Sequence, residues 1–160
     1  MRAFTAPPLQ QVSLPPNVRA GLDRLSQSNG SAIPGEVRLL RENLGVNRVG
    51  LFAVPTTGGA VCFLVNERTY LGTCAPEFSR AQGNLVFSLY SGEGVPFTVA
   101  GLASDEVETV TVVVNGHAQR STLKNNVFFW QSESENITRD SLNEIHAEQA
   151  DGSTITVNTP

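Results

Sequence analysis

The chain has 160 residues, 40% of them hydrophobic and 16% charged, with a net charge of −4 and only two cysteines. That length suits one domain with a core of its own, burying about two thirds of the surface the unfolded chain exposes. The acidic balance, with no cluster of Lys or Arg, excludes nucleic acid and an anionic membrane surface as partners, since counterion release needs a concentrated basic patch.

Residues 1–16 carry two Pro-Pro pairs among scattered apolar positions, and are read as a flexible, Pro-rich arm that acts as a tether or reaches a neighbouring copy. Met1 and Arg2 lead into Pro7-Pro8 rather than into an apolar signal region, and no apolar run approaches the ~20 residues needed to span a bilayer. The chain is therefore either cytoplasmic or an excised ectodomain. A single domain is expected over residues 17–160. Its first helix is expected over residues 17–27, with Val18, Leu22 and Leu25 at helical spacing, Asn17 as cap and Asn29-Gly30 as stop. A second is expected over residues 35–44, where Pro34 suits a first turn, Val37, Leu40 and Leu44 form a stripe, and Gly45 ends it.

From there the pattern changes to strands. Residues 49–54 and 60–65 are apolar on both faces and flank Pro55-Thr56-Thr57-Gly58-Gly59, so they read as a hairpin in the centre of a sheet. Further strands are expected over residues 70–73, 85–90 and 95–102, with Ser91-Gly92-Glu93-Gly94 as a turn and Pro96 marking an edge or bulge.

The clearest hairpin lies within residues 101–130. Residues 107–114 are rich in β-branched side chains, and Asn115-Gly116 supplies the two positive-φ positions of a type I′ turn. A two-residue loop sets Val114 opposite His117, Val112 opposite Gln119, Val110 opposite Ser121 and Glu108 opposite Leu123, so that Val110, Val112, Val114 and Leu123 point inward. Asn125-Asn126 allows a bend before Val127. The rings of Phe128, Phe129 and Trp130 are too many for one buried side, so one of them is expected to face outward; core packing apart, this aromatic strand is the expected partner surface.

The last segment tests register. A two-residue loop at Asp151-Gly152 mixes apolar with charged residues on one face, whereas a three-residue loop with Gly152 at positive φ sets Ile155 opposite Ala147 and Val157 opposite Ile145. The second is adopted, which puts Glu144, His146 and Glu148 on the outward face with Thr154 and Thr156.

That face holds the best candidates for chemistry, since imidazole and carboxylates at alternate strand positions suit metal binding or proton transfer. Alternate residues of a strand stand ~6.5 to 7 Å apart, however, and a solvated strand face is the simpler account. His117 reads as a turn-flanking residue, and Ser121 beside it has no evident orienting acid. Asp105 and Glu106 enter a strand and diverge, which favours a turn over a carboxylate pair. No nucleophile elbow, P-loop or dinucleotide fingerprint occurs, and Asn29-Gly30-Ser31 and Asn136-Ile137-Thr138 match the glycosylation pattern at no more than chance frequency. Catalytic residues, cofactor and metal are accordingly none. Cys62 and Cys74 bracket a hairpin-sized loop without a second pair to complete a zinc set. They are read as a disulfide worth ~3 kcal/mol on the chain-entropy estimate, the alternative being two buried thiols in a reducing cytosol.

The stretch Gly59-Ala60-Val61-Cys62-Phe63-Leu64-Val65, then Cys74, then Gly101-Leu102 with Asp105, Val107 and Val110, then Asn126 with Phe128, and finally Asp151-Gly152, resembles a loose, uncharacterised group of bacterial, especially actinobacterial, envelope-associated β domains. The resemblance covers roughly residues 35–158. Members commonly follow a membrane anchor and carry a cysteine pair in corresponding strands. It implies an extracytoplasmic β domain and assigns no catalytic residue. The expected fold is mainly β, a sandwich or partly open barrel of antiparallel hairpins with one or two short N-terminal helices. The expected function is a non-enzymatic extracytoplasmic binding or structural module whose partner is a protein or envelope component. The alternatives are a self-assembling subunit using the Pro-rich arm and a metal-dependent hydrolase using the His146 face.

Overall fold

The structure, a computed structural model, describes residues 14–27, 29–66, 70–75, 85–92, 95–134 and 136–159. Most of the Pro-rich arm and the second half of the expected 91–94 turn, residues 93–94, lie outside the described residues. Among the described residues the fold is mainly β: three four-stranded antiparallel sheets and one α-helix, with no closed barrel. Within the span read as one domain, the chain forms two compact units, Met1–Ala81 and Gln82–Pro160.

The first unit is a helix on a sheet. Helix α1 (Pro16–Ser26) starts with a proline in its first turn, where the missing N–H costs nothing, and it is followed by Gly30 at φ +86°. The N-cap position belongs to Pro15; Asn17, expected to cap, instead donates its side-chain amide to the Asn66 side-chain oxygen. The strands are β1 (Arg38–Leu44), β2 (Val49–Pro55), β3 (Val61–Asn66) and β4 (Tyr70–Ala75), hydrogen-bonded in that order. Val18 and Leu22 of α1 are buried with Leu14 against Phe52, Val54, Cys62 and Leu64. Leu51, Ala53, Phe63 and Val65 occupy the opposite face of the two central strands and are buried as well, which is why both runs read as apolar throughout. Gly72 of β4 lies under the helix, where a Cβ would stand 2.2 Å from the Phe63 carbonyl oxygen and 2.7 Å from Leu25 Cδ1. Glycine there lets α1 sit close to the sheet.

The helix expected over residues 35–44 is a strand. Helical geometry lasts one 3-10 turn, Pro34–Glu36, and the backbone turns extended at Val37 with φ −65° and ψ 132°. Strand β1 then pairs with β2 through two register shifts, between Leu39 and Arg41 and between Arg41 and Leu44, with Asn43 at φ +56°. Each irregularity inserts a residue, so the buried positions Val37, Leu40 and Leu44 fall three and four apart and imitate a helical stripe.

The second unit is a sandwich of two sheets. Its strands are β5 (Leu85–Gly92), β6 (Val95–Ala103), β7 (Val107–Val114), β8 (His117–Arg120), β9 (Thr122–Lys124), β10 (Val127–Gln131), β11 (Leu142–Gln149) and β12 (Thr154–Asn158). One sheet runs β5-β6-β10-β9, the other β12-β11-β7-β8. Val110, Val112 and Val114 of β7, with Ile145 and Ala147 of β11, share one core with Phe97, Val99, Phe128 and Trp130 of the other sheet. Phe97 and Trp130 meet edge to face at 6.2 Å, and the Trp130 indole N–H donates to Gln119 Oε1 at 3.2 Å. Gly101 pairs with Phe128, whose ring edge lies 2.7 Å from where a Cβ would stand. Pro96 falls in an irregular stretch, where the β5–β6 register shifts between Tyr90 and Gly92.

Turn chemistry sets the hairpins of this unit. Asn115 and Gly116 have φ of +49° and +76°, and Val114 pairs with His117 and Val112 with Gln119, as a type I′ turn requires. The pairing then departs from expectation. At Ser121, whose N–H and hydroxyl both donate to the Val110 carbonyl, the chain leaves β7 and crosses to the other sheet as β9. Leu123 therefore faces Phe128 rather than Glu108, and Asn125-Asn126, with φ of +52° and +66°, make a second tight turn instead of a loose bend. The Asn126 side-chain amide donates to the Ala103 carbonyl and to Asp105 Oδ1, at 3.0 and 2.8 Å. In the last hairpin Gly152 has φ +83°, and Ile155 faces Ala147 and Val157 faces Ile145, the register of the three-residue loop.

Candidate functional site

Of the residues singled out by sequence, those of the aromatic strand are inaccessible. Phe128 and Trp130 point into the sandwich core, and Phe129 alternates to the other face of its sheet, as one of the three was expected to do. Yet Phe129 is only 7% exposed, beside the buried Val127 and Ala100. A partner surface needs accessible apolar area, and Phe128, Phe129 and Trp130 expose almost none of theirs.

The outer face of β7, β11 and β12 is the accessible site. Alternation on β11 buries Leu142, Ile145 and Ala147 and turns Glu144, His146 and Glu148 outward. Pairing across the sheet then builds rows. Arg120, Thr111, His146 and Thr156 form one, Thr109, Glu148 and Thr154 the next, and Val113, Glu144 and Asn158 the third. Neighbouring rows and strands set a grid of ~4.8 Å by ~6.5 to 7 Å. The His146 ring Nε2–H donates to Glu144 Oε2 at 2.6 Å, with the side chains 36% and 40% exposed. Thr109 donates its hydroxyl to Glu148 Oε2 at 3.1 Å. The result is an imidazole held by a carboxylate between two threonine-bearing strands, on a strand whose other side is fully packed.

Chemically, this surface offers carboxylate acceptors, hydroxyls that donate and accept, and one guanidinium at its margin. Among the described residues no three His, Cys, Asp or Glu side chains are arranged to hold a metal ion, and Glu148 is engaged by Thr109 rather than by His146. His117 is exposed at the start of β8, while the Ser121 hydroxyl is committed to the Val110 carbonyl, so the two do not form a nucleophile and base. Asp105 and Glu106 form the turn into β7, with Asp105 accepting from Asn126. At the loop of the last hairpin, Ser153 lowers the Asp151 pKa below its ordinary value, through its side chain first and then its backbone N–H at 2.8 Å.

Sequence reasoning missed the lateral extent of the site. Thr109 and Thr111 join His146 and Glu148 only because β7 and β11 pair across more than 30 residues of chain, a non-local choice. The one available signal is that both strands alternate polar with Val, Ile or Ala at the same period. In the first unit, Cys62 and Cys74 are paired across β3 and β4 and form a disulfide, while Arg38, 7% exposed, donates to Glu36 Oε2 at 2.8 Å. Among the described residues no helix is long and apolar enough to cross a membrane. Comparison with family models, with curated proteins and with solved structures finds no match to this chain.

Proposed function

We propose that the chain is a non-enzymatic binding module of the bacterial envelope, acting outside the cytoplasm and engaging a protein or envelope component through the outer face of β7, β11 and β12. The observation that carries the binding role is the Glu144–His146 pair flanked by Thr111 and Thr156, an exposed polar array on a strand whose reverse side is packed at Ile145 and Ala147. A rigid scaffold under an accessible polar grid is what recognition without reorganisation requires. The Cys62–Cys74 disulfide supports the compartment, since such bonds persist where the surroundings are oxidising.

Two measurements test the two halves of this reading. Ellman titration of the unfolded, unreduced protein after oxidising expression is expected to find no free thiol, and two free thiols would overturn the compartment. Retention of the purified chain on bacterial envelope fractions is expected, and a Glu144→Ala, His146→Ala double variant of unchanged fold is expected to lose it. Equal retention of both proteins would remove the binding face.

A further inference from the structure

The two lateral sides of the sandwich are finished differently. On one side the chain itself passes from β8 to β9 at Ser121, so the outer strands of the two sheets are one segment. That segment also carries His117, Arg120 and Lys124. On the other side the outermost strands are β5 and β12. Strand β5 ends in a register irregularity at Tyr90 and Gly92, which spoils it as a template. Strand β12 has no irregularity in its pairing with β11, and residues 153–159 include no charge and no proline. Along these described residues it carries no bulge, charge or proline, three of the devices by which natural edges avoid pairing.

The direction of its free backbone groups follows from two hydrogen bonds. Gln149 N–H donates to the Ser153 carbonyl at 2.9 Å, and Thr159 N–H donates to the Asn143 carbonyl at 3.1 Å. The odd-numbered residues of β12 thus address β11, and the N–H and C=O groups of Thr154, Thr156 and Asn158 point away from the sheet. An antiparallel copy of the same strand, centred on Thr156, meets all of these groups at once. Thr156 faces Thr156, Thr154 faces Asn158, and each is a hydrogen-bonded pair, so every outward N–H finds a carbonyl. The same register sets Ile155 opposite Val157 on the core side, where both are half-buried, and keeps threonine and asparagine on the polar side. The charged row of β11 does not oppose the pairing. The two copies of Glu144, His146 and Glu148 are separated by three strand spacings, ~14 Å, beyond the ~8 Å screening length at physiological salt.

We propose that this edge is a homodimer interface, in which β12 pairs antiparallel with β12 of a second copy about a two-fold axis at Thr156, joining two four-stranded sheets into one of eight. The pairing brings two polar faces into one continuous surface, so a repetitive partner is bound at two points at once. The dimer does not depend on the binding role of that face.

The test is sedimentation equilibrium of the full chain at protein concentrations up to about 1 mM, which covers weak dimers. Wild type is expected to approach twice the mass of the chain. Thr156→Lys, which sets two ammonium groups face to face on an exposed position, is expected to weaken association about tenfold or more with an unchanged circular dichroism spectrum. Under oxidising conditions Thr156→Cys is expected to give a covalent dimer, whereas Ala118→Cys, also exposed but on β8, is expected not to. A wild-type chain that stays monomeric over the whole range overturns the proposal. So does a dimer that Thr156→Lys leaves intact, or a Thr156→Cys chain that cross-links no better than the Ala118→Cys chain.

Discussion

The two units solve the same problem, a sheet with apolar faces, by different means. The sandwich of Gln82–Pro160 covers the inner face of each sheet with the other and closes its hairpins by turns, without a covalent link, at Asn115-Gly116, Asn125-Asn126 and the loop before Ser153. The unit of Met1–Ala81 has one sheet, covers one face with α1, and ties β3 to its outer neighbour β4 through Cys62–Cys74. A helix of 11 residues supplies few anchors, chiefly Val18 and Leu22, so a covalent link at the margin supplements what packing provides there. Where two sheets interdigitate, no covalent link joins the strands. Where one sheet meets a short helix, one does.

Four changes break or sharpen this contrast, the first three read by hydrogen exchange resolved along the chain. The largest effect is expected from Phe128→Ala, which empties the centre of the sandwich and costs ~3 to 5 kcal/mol. Protection should fall across β6, β7 and β11 while β2 and β3 keep theirs; an equal loss in both units would erase the distinction between them. Replacing Cys62 and Cys74 together by Ala is expected to cost ~3 kcal/mol, with protection lost in β3 and β4 and the sandwich unchanged. Gly72→Ala is expected to cost ~1 to 3 kcal/mol by pressing on the Phe63 carbonyl of β3 and forcing Leu25 of α1 away from β4. A neutral Gly72→Ala would mean the helix needs no close seat.

The smallest effect is at Asp151. Its pKa lies below the ordinary value because Ser153 hydrogen-bonds the ionised form, so the stabilisation is present above the unfolded value of about 3.9 and fades as pH falls through the folded one. An NMR titration should show this carboxyl protonating below the ordinary range in wild type and returning toward it in Ser153→Ala, with no change in the first unit.

Much of this architecture is legible residue by residue. Asn115-Gly116 and Gly152 demand positive φ, and that demand sets the register of two hairpins and hence the inward row of Val110, Val112, Val114, Ile145 and Ala147. The doubly apolar runs of β2 and β3 announce central strands. What could not be read locally is pairing that depends on distant partners. Strand β1 carries a helical stripe because its bulges break the period of two, and only its place beside β2 makes it extended. Nothing in Thr122-Leu123-Lys124 signals that the chain changes sheets, although the two asparagines after it do mark a tight turn. The polar site was half legible: Glu144, His146 and Glu148 follow from alternation, but their neighbours Thr109 and Thr111 come from a strand chosen by the fold. The aromatic strand misled for a related reason, since the direction of Phe129 is local while its burial is not.

Residues 117–124 make up one length of chain stitched into both sheets, and this gives the sandwich a strong side and a weak side under load. A force that slides one sheet over the other must pull on the link at Ser121 and shear the ladders of β8 and β9 together. A force on β12, at the opposite margin, meets the ladder between β12 and β11, which can open one pair at a time. Pulled from its C-terminal end, the sandwich should therefore unzip from β12 at low force and hold at Ser121, the seam where its two sheets are one strand.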